Sequence, residues 1–232
     1  MPRVAKSAEI TLVVLVYRSL RWLNWCMDGV DKSANQTRYR WLVVACDPTD
    51  EVRNSELVHI IYDNEDPGEF YINRVYRAWN EGVLAAPTSH VVMLNSDMYA
   101  SDYWLDQLVS TKRKDRMTVP TSLLVESGRI PSGMPEYVKN FGLNPTEFDA
   151  TGFKNHANGL RQLNKTESGR LFMPILVNRQ EFHDIGGYPE GNPPGTTGDK
   201  DLIRRYGEAG YKHVTVMGSV VAHIQTGEQE WV

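Results

Sequence analysis

Four short apolar runs in the first hundred residues end on side chains able to do chemistry. TLVVLVY (11–17) leads into Tyr17-Arg18, WLVVAC (41–46) into Cys46-Asp47, LVHIIY (57–62) into Asp63-Asn64, and HVVMLN (90–95) into Asn95-Ser96-Asp97. Asp and Asn end strands and open turns as a matter of course, which accounts for Asp50, Asp63 and Asp66. Asp97 is different, because it directly follows a run expected at the centre of a sheet. In open α/β sheets, ligands bind outside the carboxyl ends of such strands. A carboxylate there faces the ligand crevice, where a hard divalent cation could use it.

The elements that must position these residues follow from periodicity. The four runs are β-branched and apolar throughout, the pattern of strands buried on both faces. Between the first two, Leu20, Leu23, Met27 and Val30 recur at helical spacing, with Gly29 near the helix end. Phe70 to Ala86 carries Ile72, Val75, Trp79 and Val83 on one face and stops at Pro87. Ser101 is the expected N-cap of a helix bearing Trp104, Leu105 and Leu108. Strand–helix–strand repetition makes residues 1–110 a doubly wound α/β half.

Residues 111–232 are less regular. Strand-like pieces at 118–135 are broken by Pro and Gly, and 144–163 reads as a polar helix. In LFMPILVN (171–178), Pro174 argues for an edge or a bulge. A Gly/Pro-rich loop at 186–198 precedes a helix from about Asp199 to Ala209, and 213–224 is the last apolar stretch. No repeat or linker divides the chain, so a single domain over 1–232 is expected, with 1–110 as its doubly wound half and 111–232 as its less regular half.

Composition narrows the function classes. The chain has 232 residues, 41% hydrophobic, with 25 basic and 29 acidic side chains and a net charge of −4. Phosphate-bound nucleic-acid proteins normally show a basic excess, so no nucleic-acid partner is expected. Cys26 and Cys46 are too few for a disulfide framework and are expected to be reduced, buried hydrophobes. No apolar run approaches the ~20 residues of a membrane span, and the N-terminus lacks a signal-peptide pattern. The expectation is a cytoplasmic protein without stable membrane insertion. No two glycines stand two residues apart, which excludes a G-x-G-x-x-G fingerprint, and P-loop, H-E-x-x-H and G-x-S-x-G motifs are also missing.

Taken in order, several segments resemble the GT-A-fold glycosyltransferases of the large family 2 group. VMLNSDM is similar to their D-x-D region, with Asn95 at the first acid, as in many members, and Asp97 at the second. VVACDPTD resembles the segment whose acid, here Asp47, holds the nucleotide base. Asn80-Glu81-Gly82 with Ala85 matches an Asn-x-Gly-x-x-Ala signature, and NRQEFHDIGGYPEG resembles the acceptor-side segment. GDKDLIRRYGEAGYK is similar to the Glu-Asp-x-Asp-Leu motif, with Gly198 in place of Glu, and His223 falls where many members keep a metal-binding His. The loop after the first strand departs from the pattern, keeping only Tyr17.

The resemblance implies a GT-A-like, Rossmann-type, mostly parallel sheet with helices on both faces. It implies transfer of a hexosyl or deoxyhexosyl unit from a nucleotide-sugar donor, UDP-sugars first, to a glycan hydroxyl, with inversion. It also implies Mn²⁺ or Mg²⁺ on Asp97 and His223, and Tyr17, Arg18, Asp47, Asn80, Asn95, Ser96 and Asp97 around the donor. Asp199 is then the carboxylate base and Asp201 the fallback, paired with Arg205. Blander roles stay open: Asp199 and Asp201 as first-turn acids favoured by the helix dipole, and His223 as a hydrogen-bonded strand-end residue. Trp104 is either core or a sugar-stacking ring, and Lys112-Arg113-Lys114 is a solvated helix end. Two other functions fit the same sheet: a catalytically silent nucleotide-binding module and a sugar-phosphate nucleotidylyltransferase. The latter should carry a Gly-rich basic loop after the first strand, which Tyr17-Arg18-Ser19 is not.

Overall fold

The computed structural model describes residues 8–64, 66, 68–190 and 198–228. The first half runs β1 (Ile10–Val16), α1 (Leu20–Asp31), β2 (Tyr39–Cys46), α2 (Asp50–Arg53), β3 (Ile60–Tyr62), α3 (Tyr71–Ala85), β4 (His90–Asn95), β5 (Met98–Ala100) and α4 (Trp104–Lys114). The second runs β6 (Thr118–Glu126), α5 (Ala150–Leu160), β7 (Thr166–Ser168), β8 (Ile175–Asn178), α6 (Arg179–Asp184), α7 (Gly198–Glu208) and β9 (Lys212–His223). One nine-stranded sheet joins both halves in the order β3-β2-β1-β4-β8-β6-β9-β5, with β7 on β9.

β1, β2, β3 and β4 are parallel, as expected of their mainly apolar runs, although β3 at the sheet edge is only partly buried. Val91 to Leu94 of β4 are buried, flanked by β1 and by antiparallel β8. Ser19 caps α1 through its hydroxyl, and the helix buries Trp22, Leu23, Cys26 and Val30 against the sheet. Gly29 and Gly82 allow close approach: a Cβ there would stand 2.6 Å from the Tyr99 ring and 2.7 Å from Val13. Beyond β4 the sheet is mixed. β8 is antiparallel to β4 and β6, β9 is parallel to β6, and β5 and β7 are antiparallel to β9. No described helix is long and apolar enough to cross a membrane.

Several local expectations are corrected. The third strand is Ile60–Tyr62, shorter than 57–62. Pro174 follows a cis peptide bond and leads into β8, which lies inside the sheet, so it marks neither an edge nor a bulge. Ser101 does not cap α4, since its hydroxyl donates to the Val220 carbonyl and the helix begins after Tyr103 in the left-handed region. Trp104 is fully buried and belongs to the core, which removes it as a sugar platform. Lys112 is buried rather than solvated, its ammonium donating to the Arg116 and Thr118 carbonyls and to Glu181 at 2.7 Å. The polar helix is α5, capped by Asp149, and Phe148 and Phe153 fix it against Trp25 and Tyr99. Residues 191–197 of the Gly/Pro-rich loop lie outside the described residues.

Candidate active site

Strand register builds the centre of the site. Ser96 and Asp97 turn the chain from β4 into β5, whose Met98 lies opposite His223 of β9. On the other side of β9, His223 lies opposite Glu126, the last residue of β6. That register depends on a bulge: Ser122 pairs with Val216 but Leu123 with Val220, so β9 carries three extra residues, Met217–Ser219. Had the Ser122–Val216 register run on unbroken, Glu126 would meet Val220 instead.

The outcome is an imidazole between two carboxylates. His223 Nε2 is 3.4 Å from Asp97 Oδ2, and Nδ1 is 3.2 Å from Glu126 Oε1. Burial opposes a charge on the ring, but Asp97 and then Glu126 outweigh it and raise His223 to about 10. Burial likewise pushes both acids up, yet His223 and the surrounding hydrogen bonds hold Asp97 and Glu126 below their usual values. The backbone N–H of Gly227 also donates to Asp97 Oδ2, at 3.2 Å.

These residues fit a divalent cation. Two ligand atoms each ~2.1 Å from one ion at right angles lie about 3 Å apart, close to the Asp97–His223 spacing. Glu126 on the far ring nitrogen is the kind of carboxylate partner that fixes the tautomer of a metal-binding imidazole, and a cation taking the place of the Nε2 proton would then meet Nε2 and Asp97 together. Among the described residues no group of three or more His, Cys, Asp or Glu converges on one ion position. Asp97 and His223 are thus the two candidate ligands at this point.

The β1–α1 loop stands beside this centre. The Arg18 guanidinium stacks on the Tyr17 ring at 4.4 Å and donates to its hydroxyl at 2.6 Å. Glu228 joins that loop to Ser96, accepting from the amides of Tyr17, Arg18 and Ser19 and from the Ser96 hydroxyl. Asp47, with φ of 45°, sits at the end of β2, where its carboxylate accepts from the Asn64 amide (2.7 Å) and from Arg74 (2.8 Å). The Thr49 N–H donates to the Tyr17 carbonyl, tying the two loops together. Asn95 is half-buried at the end of β4, where its carbonyl accepts from the Cys26 thiol.

A second cluster surrounds Asp199. Tyr188 donates its hydroxyl to Asp199 Oδ1 at 2.9 Å and stacks on Tyr76 with centroids 4.8 Å apart. Burial raises the Asp199 carboxyl, and the Tyr188 hydrogen bond only partly opposes it. The side chain of Asn80 is engaged by the turn before this cluster, accepting from the Tyr188 N–H and donating to the Tyr188 carbonyl and Glu190. Asp201 pairs with Arg204 rather than Arg205, whose guanidinium donates to the Gly186 and Gly187 carbonyls.

The register brings Asp97, His223 and Ser96 together, and Glu228 adds Tyr17 and Arg18. Asn80 belongs with Asp199. Sequence reasoning missed Glu126, Tyr188 and Glu228. Glu126 closes an apolar run, as Asp97 does, and that signal could have found it. Glu228 leaves no comparable pattern.

Sequence comparison matches no family model and no curated protein. The fold does match solved structures. Against GalNAc-T7 crystallised with UDP, GalNAc and Mn²⁺, the TM-score is 0.64 at 15% identity, covering 92% of this chain and 42% of that one. Against S. aureus TarS residues 1–349, it is 0.58 at 12% identity, covering 93% and 60%. The chain thus spans less than two thirds of either neighbour. Both neighbours are glycosyltransferases, and the architecture that this chain shares with them is the GT-A-like fold.

Proposed function

We propose that this protein is a metal-dependent glycosyltransferase that moves a hexosyl or deoxyhexosyl unit from a nucleotide-sugar donor to a glycan hydroxyl, with inversion. The observation that carries the reading is the register-enforced meeting of Asp97 and His223 at the carboxyl end of β4, beside the Tyr17-Arg18 loop. The complex of one structural neighbour with UDP and Mn²⁺ supports a UDP-sugar and manganese as first choices, with magnesium second. Free, buried Cys26 and Cys46 accord with a cytoplasmic setting.

A divalent cation held by Asp97 and His223 would neutralise charge building on the departing diphosphate. Glu126 orients His223 through Nδ1. Tyr17, Arg18, Asp47, Asn95 and Ser96 line the donor side, with Asp47 toward the base. Asp199 takes the proton of the acceptor hydroxyl as its oxygen bonds to the anomeric carbon and the sugar–phosphate bond breaks, releasing nucleoside diphosphate. Burial suits Asp199 to that role by making its carboxylate more basic. We assign Asn80 a supporting place, holding the turn that carries Tyr188, rather than a contact with the donor.

Release of nucleoside diphosphate from UDP-, GDP- and dTDP-sugars, with Mn²⁺ and with EDTA, tests the proposal. Metal-dependent release that Asp199→Asn abolishes while nucleotide binding persists supports it. Binding without release from any donor and acceptor mixture would favour the silent-module reading.

A further inference from the structure

Glu228 lies five residues beyond His223, and no step above uses its carboxylate. Oε2 accepts from three consecutive backbone amides, Tyr17 (3.1 Å), Arg18 (2.6 Å) and Ser19 (3.0 Å), while Oε1 accepts from the Ser96 hydroxyl (2.6 Å). One side chain thus spans the gap between the β1–α1 loop and the Ser96-Asp97 turn.

The segment that delivers Glu228 is built into the fold. Gln225 is fully buried, its side-chain oxygen accepting from the Gly128 and Ile130 amides and its nitrogen donating to the Ile130 carbonyl. The Ile224 N–H donates to the Asp97 carbonyl at 3.1 Å. Gly227 lies so close that a Cβ on it would be 2.3 Å from Asp97 Cβ. Gln225 and Thr226 hold φ values of 63° and 60°, a costly conformation for residues with a side chain, Thr above all, which persists only where the surroundings enforce it. A segment anchored in this way serves to hold the site together and is poorly suited to leave as a ligand arrives.

We propose that Glu228 is a positioning residue, a carboxylate latch that fixes the β1–α1 loop against Ser96 and so sets Tyr17 and Arg18 at a constant distance from the Asp97–His223 pair. The benefit to nucleotide binding rests on the donor-site reading above; the latch itself does not. Hydrogen bonds to a charged group contribute enough that losing them should cost about tenfold in binding by a site they preorganise.

Amide hydrogen exchange of the ligand-free protein tests the latch, and calorimetric titration with UDP in saturating Mn²⁺ tests its purpose. In Glu228→Ala, exchange at Tyr17–Ser19 should rise about tenfold or more as local opening becomes easier. UDP binding should weaken by about tenfold, with the affinity for Mn²⁺ alone and the melting temperature little changed. Glu228→Gln, which keeps one acceptor oxygen, should fall between Ala and wild type in both measurements. Unchanged exchange at Tyr17–Ser19 in both variants would overturn the latch. So would tighter UDP binding, because Glu228 would then be a competitor occupying a phosphate position. Failure of the wild type to bind any nucleotide would instead remove the donor-site reading, with the exchange result still deciding the latch.

Discussion

Gly198→Ala should destabilise the protein and slow its chemistry together. Gly198 stands where the similar glycosyltransferase motif carries Glu, and the packing gives the reason. Its N–H donates to the Tyr76 hydroxyl at 2.8 Å, and a Cβ would fall 2.3 Å from Tyr76 Cε2. Ordinary contact begins near 3.4 Å, so the ring must retreat by about 1 Å. It has little freedom to do so, being stacked at 4° on Tyr188, which is itself 1% exposed. Overpacking of this kind costs about 1–3 kcal/mol. In a chain of this size each kcal/mol lowers the melting temperature by roughly 2–4 °C, giving a fall of roughly 2–12 °C. Because Tyr188 holds Asp199, a displaced Tyr76 also moves the proposed base, so kcat should drop more than donor KM rises. Calorimetric melting and steady-state kinetics measure the two effects. A Gly198→Ala melting temperature within about 1 °C of wild type would refute the packing argument, since any real overlap must shift it by more.

Three further outcomes are expected. In the metal-free protein His223 is raised from 6.5 to about 10, so its ion pairs stabilise the fold fully below pH 6.5 and lose that contribution as pH rises through about 10. The stability difference between wild type and His223→Gln should therefore shrink from pH 6 to pH 10 in urea titrations with EDTA, and a constant difference contradicts the pairing. Because a cation must displace that proton, affinity for Mn²⁺ should rise with pH over the same range. Lys112→Met strands the Glu181 carboxylate and two carbonyls, costing about 3 kcal/mol after allowing for the part-exposure of Glu181. Thermal melts should show it, with no change in nucleotide affinity; a melting temperature equal to wild type would mean that the buried ion pair contributes nothing.

What was legible in the sequence was whatever a local pattern encodes. β4 is bounded as HVVMLN predicts, and β1 and β2 lie within a residue or two of their apolar runs, because strands buried on both faces must be apolar at every position. The Leu20–Val30 spacing gave α1 in the same way. Asp97 stood out because it follows such a strand. Glu126 could be singled out as the acid closing an apolar run, but its pairing with His223 and the place of Glu228 were not legible, because they are set by the three-residue bulge in β9 and by a segment with two left-handed residues, neither of which has a periodic signature. Lys112 looked like part of a basic helix end, since sequence spacing cannot show that Glu181 on α6 packs over it. Trp104 offered two roles until its burial decided for the core.

In the proposed function Asp97 and His223 together form a metal-dependent nucleotide site. Titration of the protein with Mn²⁺ and UDP by calorimetry, compared with Asp97→Ala and His223→Ala, tests it most directly. UDP binding that needs Mn²⁺ and is lost in both variants is the predicted result. UDP binding with equal affinity in EDTA, or unchanged in either variant, would contradict it.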